Sequence, residues 1–224
     1  MRFTAARRLA GALLVAALSA SEVAVAQGEV VGGGADPLER LPSTIRGELP
    51  RSHLTVVGVV VGRDSLADVE TLLGPAPRFS PGGTAGLTAL CYESEDAEQD
   101  GVVLFQADAK DPQTVVLMAH ATQRNSLGGM ARHCEPSPAL AGGVSNAAGV
   151  TLGMSHDDFI ARFLHPPSED HARYAGFYFY DLVELRADAG PRDDCQLLSG
   201  VRVRTRLGRT SAFTVYRFYR GRGC

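Results

Sequence analysis

One short pattern occurs twice in this chain, built on Ser65 in the first copy and on Ser155 in the second. Ser65 is followed three residues later by Asp68, a capping box with the shorter acid in the place of Glu. Leu66, Val69, Leu72 and Leu73 then recur at helical spacing, and Gly74-Pro75 ends the run. In the second copy Ser155 precedes Asp158 by the same interval. Phe159, Ile160, Phe163 and Leu164 form the apolar face, and His165-Pro166-Pro167 forms the stop. Setting Ser65 on Ser155 also aligns Val69 with Phe159, Leu73 with Phe163 and Pro77 with Pro167, while Gly62 meets Gly153 across a one-residue gap. Helices this short are not stable alone, so each must lay its apolar face on a sheet.

The flanking segments supply the sheets. A β-branched run from Leu54 to Val61 precedes the first helix. Strand-like runs follow it at Thr88–Glu93, Val102–Asp108 and Val115–Ala121. After the second helix come Tyr174–Tyr180, Val201–Leu207 and Phe213–Tyr219. The fold class expected is α+β: two tandem repeats, each a short helix layer packed on an antiparallel meander. The first repeat spans residues 53–135 and the second 149–224. Residues 27–52, rich in Gly and Pro, read as a flexible leader, and 136–148 read as a linker.

The chain opens with the parts of a secretory signal. Arg2, Arg7 and Arg8 precede an apolar stretch from Leu9 to Leu18, and Ala24-Val25-Ala26 offers small residues for cleavage after residue 26. The stretch is shorter than the roughly 20 residues a membrane span needs. The expected product is a soluble periplasmic or secreted protein with no transmembrane segment. No Cys follows the cleavage point before Cys91, which argues against a lipid anchor on an N-terminal Cys. The formal net charge is −3, and cleavage removes three arginines and Glu22, so general nucleic-acid binding is not expected. All four cysteines, Cys91, Cys134, Cys195 and Cys224, belong to the mature part. An even count in an exported chain reads as two disulfides with three possible connectivities. Locality favours Cys91 with Cys134 and Cys195 with Cys224.

The segments Gly62–Pro77 and Gly153–Pro167 resemble a motif shared by the outer-membrane-assembly lipoproteins of the BamE/SmpA type and the β-lactamase inhibitor protein. There a strand runs into G-M-T/S-x-x-x-V, a short helix and a meander. Gly153-Met154-Ser155-His156-Asp157-Asp158-Phe159 is the closer copy; the first has one extra residue, and its Leu72-Leu73-Gly74-Pro75 matches the usual helix ending. The resemblance implies tandem helix-on-sheet units and a scaffold that binds other proteins rather than catalyses. The lipoproteins' N-terminal Cys is absent here, and no contact residue of the inhibitor has a counterpart to carry over.

Motifs for catalysis are missing: there is no G-x-S-x-G elbow, H-E-x-x-H or P-loop. Ser155-His156-Asp157 has triad residue types, but neighbours at a helix start point in different directions, and capping accounts for Ser155. His156, Asp157, Asp158, His165, Glu169, Asp170 and His171 could supply zinc ligands, yet they lack regular spacing, and carboxylates in a first helical turn complement the helix dipole. His133-Cys134 reads as half of a disulfide rather than a nucleophile pair. The acidic run from Glu93 to Asp100 misses the calcium-loop spacing and reads as a solvated turn. No cofactor or metal is expected, and the chain is not read as an enzyme.

The most distinctive feature lies near the end. After Asp194 no acidic residue occurs, whereas Arg202, Arg204, Arg206, Arg209, Arg217, Arg220 and Arg222 all do. Val201, Val203, Thr205 and Leu207 alternate with the first three arginines, so a strand would bury one face and present Arg202, Arg204 and Arg206 on the other. Two readings stand: a binding face for an anionic partner, or a solvated face whose arginines pair with Asp181, Glu184 or Asp188. The functional expectation is an exported binding protein acting on a macromolecule in the cell envelope or outside the cell. The alternatives are an envelope protein that binds anionic lipid or glycolipid, and an unrecognised hydrolase. A deep pocket with convergent His and carboxylates would favour the hydrolase.

Overall fold

The computed structural model describes residues 45–81, 86–95, 101–111, 113–171, 173–182 and 196–220. The expected signal peptide, most of the leader, Cys195, Cys224, Glu184 and Asp188 lie outside the described residues. In chain order the elements are β1 (Ile45–Arg46), α1 (Arg51–Leu54), β2 (Thr55–Val56), β3 (Val59–Val60), α2 (Leu66–Leu73), β4 (Leu87–Ser94), β5 (Gly101–Asp108), β6 (Val116–Gln123), β7 (Cys134–Ser137), α3 (His156–Ile160), β8 (Glu169–His171), β9 (Tyr174–Leu182), β10 (Gln196–Arg206) and β11 (Arg209–Arg220). Strands predominate and helices are few and short, an α+β architecture.

The two meanders, β4-β5-β6 and β9-β10-β11, do not stand as separate sheets. They join edge to edge through antiparallel β6 and β11, giving the order β1-β9-β10-β11-β6-β5-β4-β7 with β8 beside β9. The outer pairs β1–β9 and β4–β7 are parallel, and the rest of this sheet is antiparallel. The valine run before α2 is not one strand: it folds back as the hairpin β2–β3 through Val57 (φ 48°) and Gly58 (φ 85°), the left-handed pair that a two-residue hairpin turn requires.

The stretch read as a linker is packed. Cys134–Ser137 pairs with β4, Leu140 is fully buried, and Asn146 is 3 % exposed. Asn146 works there as a turn residue: its Oδ1 accepts from the Val150 and Ala148 backbone N–H groups, and its Nδ2 donates to the His53 carbonyl. Order also starts earlier than Leu54, because β1 extends the sheet and Leu49 is 2 % exposed. Glycine, proline and serine read as loop residues in both stretches. Small side chains serve equally well where chain passes close under a sheet.

One sheet face carries the main core. Leu66, Val69 and Leu73 of α2, with Phe159 of α3, bury against Leu90, Phe105, Phe177, Val203, Phe213 and Val215. Phe163 stacks on Phe177 at 3.7 Å, and Phe159 meets Phe177 edge-on at 5.7 Å. Truncating a fully buried Phe such as Phe159 to Ala costs about 3–5 kcal/mol. On the opposite face a smaller cluster under the 3₁₀ turns of Arg124–His133 collects Ala89, Leu104 and Leu127 around Cys91–Cys134, which are joined as a disulfide.

Both serine caps form, and three backbone hydrogen bonds beside each correspond in the two halves. Ser65 Oγ accepts from the Asp68 N–H at 3.2 Å, and Ser155 Oγ accepts from the Asp158 N–H at 3.1 Å. The Gly62 N–H donates to the Val116 carbonyl and that of Gly153 to the Thr210 carbonyl, each at 2.7 Å. Leu66 N–H reaches Thr114 O, and His156 N–H reaches Gly208 O. In return Val116 N–H donates to Asp64 O, and Thr210 N–H to Met154 O. Gly62 and Gly153 hold φ near 80° and 78°, where a side chain would be strained.

Candidate binding face

The alternation of β10 is as the sequence predicts. Val201, Val203 and Thr205 are buried on the core face, while Arg202, Arg204 and Arg206 share the other, with Arg202 half-buried and the next two exposed. β10 places Arg202 opposite Gly176 on β9 and Thr214 on β11. The even-numbered residues of β9, Tyr174, Gly176 and Tyr178, therefore share its face.

Arg202 is committed within the fold. Its guanidinium lies 4.3 Å from the centre of the Tyr174 ring, and its Nε is 3.3 Å from Glu169 Oε2. Glu169, on the short strand β8, also accepts hydrogen bonds from the Tyr178 hydroxyl and, at 2.8 Å, pairs with His171 Nε2. Burial alone would raise the Glu169 carboxyl; Tyr178, Arg202 and His171 outweigh it and hold the group below its usual range. Burial, then the Glu169 bond, push the Tyr178 phenol up. The carboxylate that neutralises Arg202 is thus Glu169, not Asp181. Asp181 has the parity of Phe177 and Phe179 and belongs to the other face.

Arg204 and Arg206 make no ion pair among the described residues, although Arg204 acts at a distance on His120. His120 Nδ1 lies 2.8 Å from the Thr214 hydroxyl. Desolvation, and then the Arg204 guanidinium, hold its imidazole down at about 4, so it is uncharged at neutral pH. Two glycines let tyrosines lie flat beside this strip. A Cβ on Gly176 would fall 2.6 Å from the Tyr178 hydroxyl, and one on Gly200 would fall 2.5 Å from that of Tyr216. The Tyr216 hydroxyl is buried without a hydrogen-bond partner among the described residues.

The other candidates are used locally. Ser155 donates to and receives from its helix partner Asp158, while His156 turns away to Asp170 at 2.8 Å. The acids and histidines of residues 156–171 pair two by two, His156 with Asp170 and His171 with Glu169, and His165 packs edge-on against Phe179. Among the described residues no three such groups are placed to hold a metal ion. His133 stacks on Phe79, and Glu93 pairs with Arg124. His53 Nε2 lies 3.3 Å from the Arg162 carbonyl, and burial lowers its pKa.

An open cleft of about 490 Å³ lies at the core-face end of β6, β10 and β11, floored by Leu54, Val60, Leu117 and Leu197 and edged by Glu48 and Arg217. Among the described residues that line it there is no histidine. Sequence reasoning missed the Glu169–Tyr178–Tyr174 cluster around Arg202. The signal was the spacing Tyr174-x-Gly176-x-Tyr178, which fixes one face of β9 as aromatic around a gap.

Among the described residues no helix is long and apolar enough to cross a membrane. Comparison with family models, with curated proteins and with solved structures finds no match for the chain.

Proposed function

We propose that this is an exported binding protein, built from a duplicated strand–helix–meander unit of the BamE/inhibitor type, that docks an anionic partner on the face of β10. The observation that carries the reading is the difference between neighbouring arginines. Arg202 is neutralised by Glu169, whereas Arg204 and Arg206 continue the same face outward, exposed and without an ion pair among the described residues. Arginine presents a fork matched to carboxylate or phosphate, and Tyr and Arg are the residues that interfaces favour.

Several observations support the duplication. The cap bonds and the glycine-to-strand bonds recur in both halves. The β6–β11 register is symmetric about His120 and Thr214: Met118 pairs with Tyr216, and Thr122 pairs with Ala212. Val56 and Asn146, which correspond in the two halves, bridge each other directly. Export is supported by the Cys91–Cys134 disulfide, a bond that persists in oxidising compartments. Glu169 has less to offer a hydrolase, since Tyr178, His171 and Arg202 already occupy its oxygens.

The test is quantitative capture from native envelope extract with the mature protein and with the Arg204→Gln/Arg206→Gln variant. The expected result is a retained component that is lost in the variant and released by added salt. An unchanged set of retained components would overturn the reading. Mass spectrometry of native protein should place its N-terminus at Gln27; a chain beginning at Met1 would remove the export reading.

A further inference from the structure

The hairpin joining β10 to β11 breaks three local rules within four residues. Leu207 is 96 % exposed, and it sits at φ 53°, where glycine or asparagine is usual and a branched, bulky side chain is strained. Arg206 and Arg209 stand directly opposite each other in register, like charges at the position where opposite charges stabilise a sheet. Among the described residues two other non-glycine residues share the positive φ, Val57 and Thr114, but both are partly buried and Val57 packs on the core. Leu207 has no such burial to hold it in that conformation.

The two acids of the adjoining helix α3 do not relieve the charge. Asp158 is bound by Ser155, and neither Asp157 nor Asp158 pairs with an arginine of the hairpin. Arg209 gives one N–H to the Gly153 carbonyl, which fixes its position, and it has no ion pair among the described residues.

The order of chemistry along the hairpin matters. The apolar side chain is at the tip, two cations stand one residue behind it, and Arg204 stands roughly 6–7 Å further back. A membrane interface is layered in the same order, with acyl chains inside and phosphates outside, and arginine stems can reach back to that layer. Resting on the proposal that the β10 face takes an anionic partner, we infer that this partner is an anionic lipid bilayer: Leu207 enters the boundary between headgroups and acyl chains, and Arg204, Arg206 and Arg209 bind phosphate behind it. A protein socket would need no such layering, and it is the competing outcome of the test.

The chain contains no tryptophan, so Leu207→Trp makes a protein with a single emitter at the tip. Mature protein is mixed with vesicles of phosphatidylcholine containing about one-third phosphatidylglycerol, and with phosphatidylcholine alone, at low salt. The expected result is flotation with the anionic vesicles only, with a blue-shifted emission quenched by lipids brominated in their acyl chains. Leu207→Gly should bind those vesicles roughly tenfold more weakly. It should melt no lower than wild type, since glycine accepts the turn without strain, which separates lost insertion from lost folding. Binding with a solvent-like emission, or an unaltered affinity for Leu207→Gly, overturns the insertion while leaving the arginine face intact. Failure to float with anionic vesicles overturns the bilayer as partner. Loss of an extract component by Arg204→Gln/Arg206→Gln would then assign the same face to a protein.

Discussion

His120 of β6 and Thr214 of β11 face each other at the centre of the junction between the two meanders, imidazole Nδ1 to hydroxyl at 2.8 Å. Under the proposed duplication they occupy the same place in the two halves, so the symmetry axis runs between a histidine and a threonine. Their difference gives the junction a titratable group. With its pKa held at about 4, below the unfolded value of 6.5, the unfolded chain binds more protons than the folded one between those limits. The contribution is therefore complete above pH 6.5 and lost as pH falls towards 4. Chemical denaturation across this window should show stability falling by up to about 3 kcal/mol from this group. His120→Gln should flatten that dependence. An identical profile in the variant would place the titration elsewhere.

Tyr216 offers a test of polar satisfaction. Its hydroxyl is buried over Gly200 without a partner among the described residues, and an unsatisfied buried group of this kind costs about 1–3 kcal/mol. Tyr216→Phe should raise the denaturation midpoint, by about 1 kcal/mol in stability. Gly200→Ala should do the reverse, because its Cβ would lie 2.5 Å from the Tyr216 hydroxyl and 2.9 Å from the Phe177 carbonyl, and the latter cannot swing aside. A tolerated alanine would mean the ring is not fixed over the sheet.

Cys91 and Cys134 stand opposite each other on the parallel strands β4 and β7, so the disulfide ties an edge strand to its neighbour. Closing a loop with a sequence separation of 43 residues stabilises by about 4 kcal/mol on chain-entropy grounds. The Cys91→Ala/Cys134→Ala variant should lose about that much. Peptide mapping without reduction should recover this pair and, as the sequence expectation, Cys195 with Cys224. A Cys134–Cys195 peptide would contradict both links.

These elements also show which parts of the fold could be read in advance. Ser65 and Ser155 announced their caps because the capping signal lies within four residues. The strands β4 to β6 and β9 to β11 were legible as strand-like runs, and alternation was the signal for β10, where valine and arginine take turns. The joining of β6 to β11 could not be read, because Ala119, Ala121 and Ala212 make poor signals for a partner some 90 residues away. Arg202, Arg204 and Arg206 were legible as one face, but the acid that meets Arg202 was not. β8 is only Glu169–His171, too short for periodicity, and pairing with β9 alone sets Glu169 beside Gly176. Asp181 was excluded by parity, and parity needs the strand's register before it can be used.

The last prediction separates the two caps. At Ser65 the box is reciprocal: the hydroxyl accepts from the Asp68 N–H, and the Asp68 carboxylate accepts from the Ser65 N–H at 2.8 Å. The bonds from Ser65 hold the Asp68 carboxyl below its usual range. At Ser155 the hydroxyl accepts from the Asp158 N–H and donates to its carboxylate, but the backbone return bond is not formed. Replacing either serine by alanine removes one cap, about 1 kcal/mol. Removing Asp68 as well should add to the loss at the first helix, whereas Asp158→Ala should add little at the second, where the carboxylate's only cap contact is the hydroxyl already deleted. Thermal denaturation of Ser65→Ala/Asp68→Ala and Ser155→Ala/Asp158→Ala, each beside its serine-only variant, measures that difference directly. Equal second-step losses at the two sites would mean that the Asp68 return bond contributes nothing, and that both helices are held by their packed faces rather than their ends.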